Sequence, residues 1–217
     1  MKKYEFTGET KQVGFFGNIT LKRIRATMEF GIIKIGDLGG WIEKEENLSH
    51  KGDAWVYGNA EVWGNAKVYG NAEVWGDAWV YGDAWVYGNV EVYGDAWVYG
   101  NAEVYGDAEV WGNAKVYGNA EVYGDAWVYG NAEVYGDAKV FSISHVLVVG
   151  PIGSRNDFTT FFRDKDSEIT VKCGCFLGKI DKFLEKVCET HGDSKYAIVY
   201  RTAAEIAKQQ IDLSEEN

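Results

Sequence analysis

The sequence predicts a mainly β protein organised around a parallel β-helix, and three observations carry that prediction. From Gly52 to Phe141 the 217-residue chain is fifteen consecutive six-residue units with no insertion. Each unit reads Gly, Asn or Asp, Ala (Val90 once), a variable residue, Val, and then Tyr or Trp, with Phe141 closing the last. The composition, 27 Gly, 9 Trp and 14 Tyr against a single Pro, is what such a repeat produces. Flanking segments that do not repeat read as an N-terminal β cap over residues 1–40 and a small C-terminal α+β unit over residues 154–217. The solenoid lies between them over residues 41–153, with regular units at 52–141.

Each unit is one strand and one corner. Ala-x-Val-Tyr alternates small inward, variable outward, aliphatic inward, aromatic outward, which is strand periodicity. The corner falls at Gly-Asn or Gly-Asp, because Gly accepts positive φ and Asn or Asp bonds its own backbone in turns. The pattern resembles the left-handed hexapeptide-repeat β-helix, in which three units close one triangular coil. That resemblance implies about five regular coils and a prism about 24 Å long.

On that geometry, units three apart share a face. Val56, Val74, Val92, Val110 and Val128 form one buried ladder, with Tyr57, Trp75, Tyr93, Trp111 and Tyr129 stacked outside it. Glu73, Glu91 and Glu109 stack like charges, which costs stability. A second face carries Trp79 and Trp97 beside Tyr81 and Tyr99, a contiguous apolar patch that reads as an oligomer interface. The family resemblance implies a trimer.

The N-terminal cap reads as strands at Tyr4-Glu5-Phe6 and from Thr20 to Phe30, then a turn cluster from Gly36 to Gly40. Residues 41–51, with Ile42 and Leu48 inward, read as a degenerate starting coil. A cap is needed because an open solenoid end exposes unpaired strand edges. After the last unit, Val146 and Ile152 keep the Val phase until Pro151 stops the repeat. A hairpin follows, Phe158 to Arg163 and Ile169 to Lys172. Helices follow from Lys179 to His191, closed by Gly192, and from Lys195 to about Ile211, capped by Ser194.

Charge and cysteine usage narrow the function. The formal net charge is −11, and the repeat, with seven Asp and seven Glu against three Lys, accounts for all of it. That disfavours binding nucleic acid through its backbone. Mimicry of nucleic acid fits poorly with so many outward aromatics. No apolar run is long enough to span a bilayer, and Met1-Lys2-Lys3-Tyr4-Glu5 leads into no secretion signal, so the expected location is the cytoplasm. Three cysteines, Cys173, Cys175 and Cys188, form no disulfide framework. With His191 they make a zinc set only on paper, and the expected metal and cofactor complement is none.

The most site-like stretch runs from Gly150 to Thr160. Its glycines, a hydroxyl, a guanidinium and a carboxylate suit an anion held by a backbone nest and Arg. The candidate ligand-binding residues are Ser154, Arg155, Asp157, Thr159, Thr160 and Arg163. Lys179, at the start of a helix that favours phosphate, completes the set. No nucleophile–base pair accompanies them. His50, His145 and His191 are the only histidines, and none lies inside the fifteen units, which weighs against a catalytic base on the coils.

Gly36-Asp37-Leu38-Gly39-Gly40-Trp41-Ile42-Glu43-Lys44-Glu45-Glu46-Asn47-Leu48, the hexads, and Pro151-Ile152-Gly153-Ser154-Arg155 together resemble a family of bacteriophage and prophage proteins from Gram-positive hosts. Cys173-Gly174-Cys175-Phe176 and Glu189-Thr190-His191-Gly192-Asp193 are similar too. The resemblance implies a viral accessory protein acting in the host cytoplasm and assigns no activity. The leading expectation is a non-enzymatic binding protein. It would counter host defence by sequestering a phosphorylated or nucleotide signal, or by blocking a host defence protein, through the C-terminal unit. The alternatives are a self-assembling or virion-associated scaffold, and an acyltransferase-like enzyme using His50 or His145 at a subunit interface.

Overall fold

The computed structural model describes residues 2–14 and 16–214. The repeat forms a three-sided β-solenoid of very short strands. Two faces are five-stranded parallel sheets, and the third grows to eight strands because three N-terminal strands join it. The register follows the hexads. Val56, Val74, Val92, Val110 and Val128 pair in one column. Every Ala and Val of the repeat is buried, so the prism interior is a continuous stack of methyl and isopropyl groups.

Outside, the aromatics stack as expected. Tyr81, Tyr99 and Tyr117 lie nearly parallel with centroids 4.9 and 4.7 Å apart. Each such pair adds about 0.5–1.5 kcal/mol beyond area burial. The Glu73–Glu91–Glu109 column is real, and tyrosines relieve it. The hydroxyl of Tyr57 donates to Glu73 at 3.0 Å and that of Tyr93 to Glu109 at 3.4 Å. Glu91, between them, has its pKa raised by burial and by both neighbouring carboxylates.

Three devices cover the carbonyls at the N-terminal end. On one face the Lys3 ammonium donates to Ala54 O at 2.6 Å and Gly52 O at 3.2 Å. On the second, strand Leu38–Ile42 pairs in parallel with the first regular coil, Trp41 beside Glu61 and Ile42 beside Val62. On the third, the Asn47 amide donates to Ala66 O and Gly64 O. Residues 41–51 therefore do make a starting coil. Ile42 and Leu48 head two Val columns, paired with Val62 and Val68 at an offset of 20 residues where the regular units repeat at 18.

The rest of the cap is more extended than the sequence suggested. Strand Tyr4–Val13 pairs antiparallel with Ile19–Ala26, which pairs with Leu38–Ile42. The expected turn at Gly36–Gly40 ends early, because Gly39 and Gly40 belong to that last strand. A Cβ on Gly39 would lie 2.6 Å from Ile24 and 2.7 Å from the Trp55 ring, so only glycine lets the strand rest on Trp55.

At the other end the expected continuation of the repeat through residue 153 is corrected. Strand Val146–Ile152 leaves the solenoid and pairs antiparallel with Asp157–Arg163. Its run of large aliphatics serves two cores at once. Val146 and Val148 pack on the solenoid interior, while Leu147, Val149 and Ile152 face the helices. Phe162 and Phe161 divide in the same way on the next strand. The sheet continues through Ile169–Cys173 and Phe176–Lys179, the last strand being one the hydropathy pattern did not reveal. It plugs the solenoid. Thr160 Oγ1 accepts from Glu133 N at 2.9 Å and His145 Nδ1 from Phe141 N at 3.2 Å. Helices α1 (Ile180–His191) and α2 (Lys195–Gln210) cover the outer face, with Gly192 and Ser194 at the expected caps.

Candidate functional site

Two concavities lie beside the residues the sequence singled out. One belongs to the C-terminal unit and has a volume of about 460 Å³. Its floor is the aromatic cluster of Phe176, Phe183 and Tyr200, with ring centroids 5.5 and 5.7 Å apart. Ser154 and Arg155 from the loop after strand Val146–Ile152, with Asp157 at the start of the next strand, form one rim, and Lys186 and His191 of α1 also line the pocket.

Local packing explains the loop's glycines. A Cβ on Gly153 would fall 1.9 Å from the Tyr200 hydroxyl, so the loop closes directly onto α2. A Cβ on Gly174 would lie 3.0 Å from Arg155 Nη1, so the bare turn leaves room for the guanidinium. Arg155 reaches Cys175 Sγ at 3.8 Å and forms no ion pair with a carboxylate among the described residues. Burial, with Cys173 beside it, pushes the Tyr200 phenol up to about 12, so it is a neutral donor at ordinary pH.

The structure splits the seven residues expected to bind a ligand. Ser154, Arg155 and Asp157 line this pocket. Thr159 is buried and donates to Cys173 Sγ at 3.3 Å. Thr160 is spent on the solenoid end and lines the second concavity instead. Arg163 is buried under Phe141, donating to the Lys139 and Asp164 carbonyls and to Ser167. Lys179 is held by Asp164 and Glu168, each at 2.6 Å. Burial opposes its charge, but those hydrogen bonds win and raise its pKa. The three exposed positions share the pocket; the other four do not line it. Sequence reading missed Phe176, Phe183, Lys186, His191 and Tyr200 as pocket residues. The helical periodicity marked Phe183 and Tyr200 as inward without showing that a pocket opens beside them.

The second concavity is a groove of about 970 Å³ along the solenoid face that carries Trp79 and Trp97. Lys11 of the cap closes one end, and Phe158 and Lys172 of the C-terminal sheet close the other. Trp79 and Trp97 stack at 4.8 Å, half-buried in a trough and not raised on a flat patch. Trp75, Trp85 and Trp127, on the other faces, are the more exposed tryptophans, at 40–42%.

The histidines flanking the solenoid serve its ends. His50 stacks on Tyr4 at 4.3 Å, its Nδ1 accepts from Lys3 N, and burial lowers its pKa. His145 is buried, and burial and Arg163 lower its pKa. Neither lines the pocket or the groove. Among the described residues no three His, Cys, Asp or Glu side chains gather to hold a metal ion, and Cys188 stands exposed on α1. Among them also, no helix is long and apolar enough to cross a membrane.

Comparison with known proteins adds to the fold. Residues 114–130 match a family described as the YdcK β-solenoid repeat. The chain is 32% identical over 62 residues to a protein named uncharacterized acetyltransferase YdcK from Escherichia coli (strain K12), a match covering 26% of this chain and 19% of that relative. The matched part is thus about a fifth of the relative's length. Both findings support a β-solenoid of hexapeptide repeats.

Proposed function

We propose that this chain is a non-enzymatic binding protein whose C-terminal pocket captures a compact phosphorylated ligand with an aromatic or apolar part. The solenoid is its rigid scaffold. The observation that carries the reading is Arg155. It is a guanidinium without a carboxylate partner, at the rim of a pocket floored by Phe176, Phe183 and Tyr200. An anion gains charge-assisted hydrogen bonds there, and a planar base gains ring contacts. A nucleotide combines the two. The viral setting that the resemblance implies would make that ligand a host signalling nucleotide, so capture would blunt host defence.

The test is calorimetric titration with adenosine and guanosine mono- and triphosphates. Wild type should bind at least one of them, and Arg155→Ala should weaken it by about tenfold or more, the worth of one charge-assisted contact. Binding undiminished in Arg155→Ala refutes the site. A second reading, acyl transfer, draws on the printed name of the relative. It would have to use His191 or Cys175, which line the pocket, and not His50 or His145. Release of free thiol from acetyl-coenzyme A, lost in His191→Ala, would favour it.

A further inference from the structure

The groove on the solenoid has a chemistry of its own. Its floor is one ladder of outward side chains, Glu61, Trp79, Trp97, Lys115 and Glu133, which Trp41 continues into the cap. Corner residues Asp77 and Asp95 flank the two central tryptophans. At both ends of this ladder an ammonium group already rests on an indole and a carboxylate. Lys11 Nζ lies 4.5 Å from the Trp41 ring centroid and 2.7 Å from Glu61 Oε1. Lys115 Nζ lies 5.3 Å from the Trp97 centroid and 3.4 Å from Glu133 Oε1. Carboxylate plus aromatic face is the general recognition chemistry for organic ammonium.

The centre adds Asp77 and Asp95 beside Trp79 and Trp97, and of these two indoles Trp97 carries Lys115 while Trp79 carries no ammonium among the described residues. Asp77 takes an amide hydrogen bond from Asn59, and neither Asp77 nor Asp95 forms an ion pair among the described residues. A separate observation points the same way. Glu61 is only 8% exposed, and its second oxygen, Oε2, is buried with no hydrogen-bond partner. A buried carboxylate oxygen left unpaired is costly and calls for a donor. These carboxylates do not converge on a point that a metal ion could occupy. They are strung along the axis, Glu61 to Asp95 spanning two coils, or about 10 Å. That spacing suits several cationic centres joined by apolar linkers.

We propose that this groove binds a linear aliphatic polyamine. Its ammonium groups meet the Glu61 carboxylate, Asp77 and Asp95, and its methylenes lie along Trp79 and Trp97. The groove adjoins the Arg155 pocket, sharing Asp157 and Gly174 with it, and takes ligand of opposite charge.

Calorimetric titration with spermidine at physiological ionic strength tests it. Wild type should show saturable one-to-one binding that magnesium at equal charge concentration does not displace. The double variant Asp77→Asn, Asp95→Asn should bind about tenfold more weakly, the sum of two exposed ion pairs. The control is Asp83→Asn, Asp107→Asn, two corner aspartates on the other faces, which should bind as wild type does. Near-UV circular dichroism confirms that each variant keeps its aromatic stacks. Equal losses in both double variants would mean diffuse attraction to an acidic solenoid and would overturn the proposal, as would absence of saturable binding by wild type.

Discussion

Replacing Lys3 by Met tests how the solenoid end is sealed. The side chain is 1% exposed, and its ammonium serves Ala54 O and Gly52 O. Methionine keeps the apolar stem and removes the donor. Two buried carbonyls then lose their partner, at about 1–3 kcal/mol each, partly offset because no charge need be buried. The net expectation at pH 7 is a loss of about 1–3 kcal/mol. The pH dependence is more discriminating. Burial lowers the Lys3 pKa from its ordinary 10.5 to about 8, with Asp53 opposing. Between those values the unfolded chain binds more protons than the folded one, so this lysine makes wild-type stability rise with pH. Below pH 8 both states are protonated and the contribution is flat. One proton sets a ceiling of about 1.4 kcal/mol per pH unit. Screening by solvent shrinks the shift and so narrows the pH window over which this slope applies. Tyrosine titrations are common to both proteins and cancel in the difference. Guanidinium denaturation at pH 7, 8, 9 and 9.5 should therefore show the gap between wild type and Lys3→Met widening above pH 8. Equal stability at pH 7, or a gap that stays constant to pH 9.5, would refute the capping role.

Four further outcomes follow from the same geometry. Gly88→Ala should cost about 2 kcal/mol or more in thermal or chemical denaturation, because φ is +89° and the new Cβ would sit 2.8 Å from Gly106 O in the next coil. Gly130→Ala, with φ +65° and open space around it, should cost only about 1 kcal/mol, separating backbone strain from steric contact. Trp55→Ala should cost about 3–5 kcal/mol and release the cap, since this side chain is fully buried against Tyr4 and Phe30; proteolysis within residues 1–40 reports the release. Thr160→Val should cost about 1–3 kcal/mol by leaving Glu133 N without an acceptor, seen as faster amide exchange at Glu133.

The solenoid was legible because its information is local and repeated. One hexad specifies strand, corner and inward face, and three hexads specify a coil, so the Val columns follow by counting. The C-terminal helices were legible because Gly192 and Ser194 punctuate them. What was hidden depends on contacts between distant segments. The run Val146 to Val149 reads as more solenoid until one sees that it serves two cores. Gly39 and Gly40 read as a turn because the sequence does not show Trp55 beneath them. The same limit explains the site. Arg155 could be singled out, but Arg163 and Lys179 looked equally available until Phe141 and Asp164 were seen to occupy them. Trp79 and Trp97 were placed on one face by register. That the cap and the C-terminal sheet turn that face into a trough is a tertiary fact.

Native mass spectrometry of the protein purified from bacterial cells, wild type beside Arg155→Ala, tests the binding account most directly. The account predicts a stoichiometric extra mass of a few hundred daltons on wild type that is absent from Arg155→Ala, whether the chain is a monomer or a trimer. An extra mass retained in full by Arg155→Ala would contradict it.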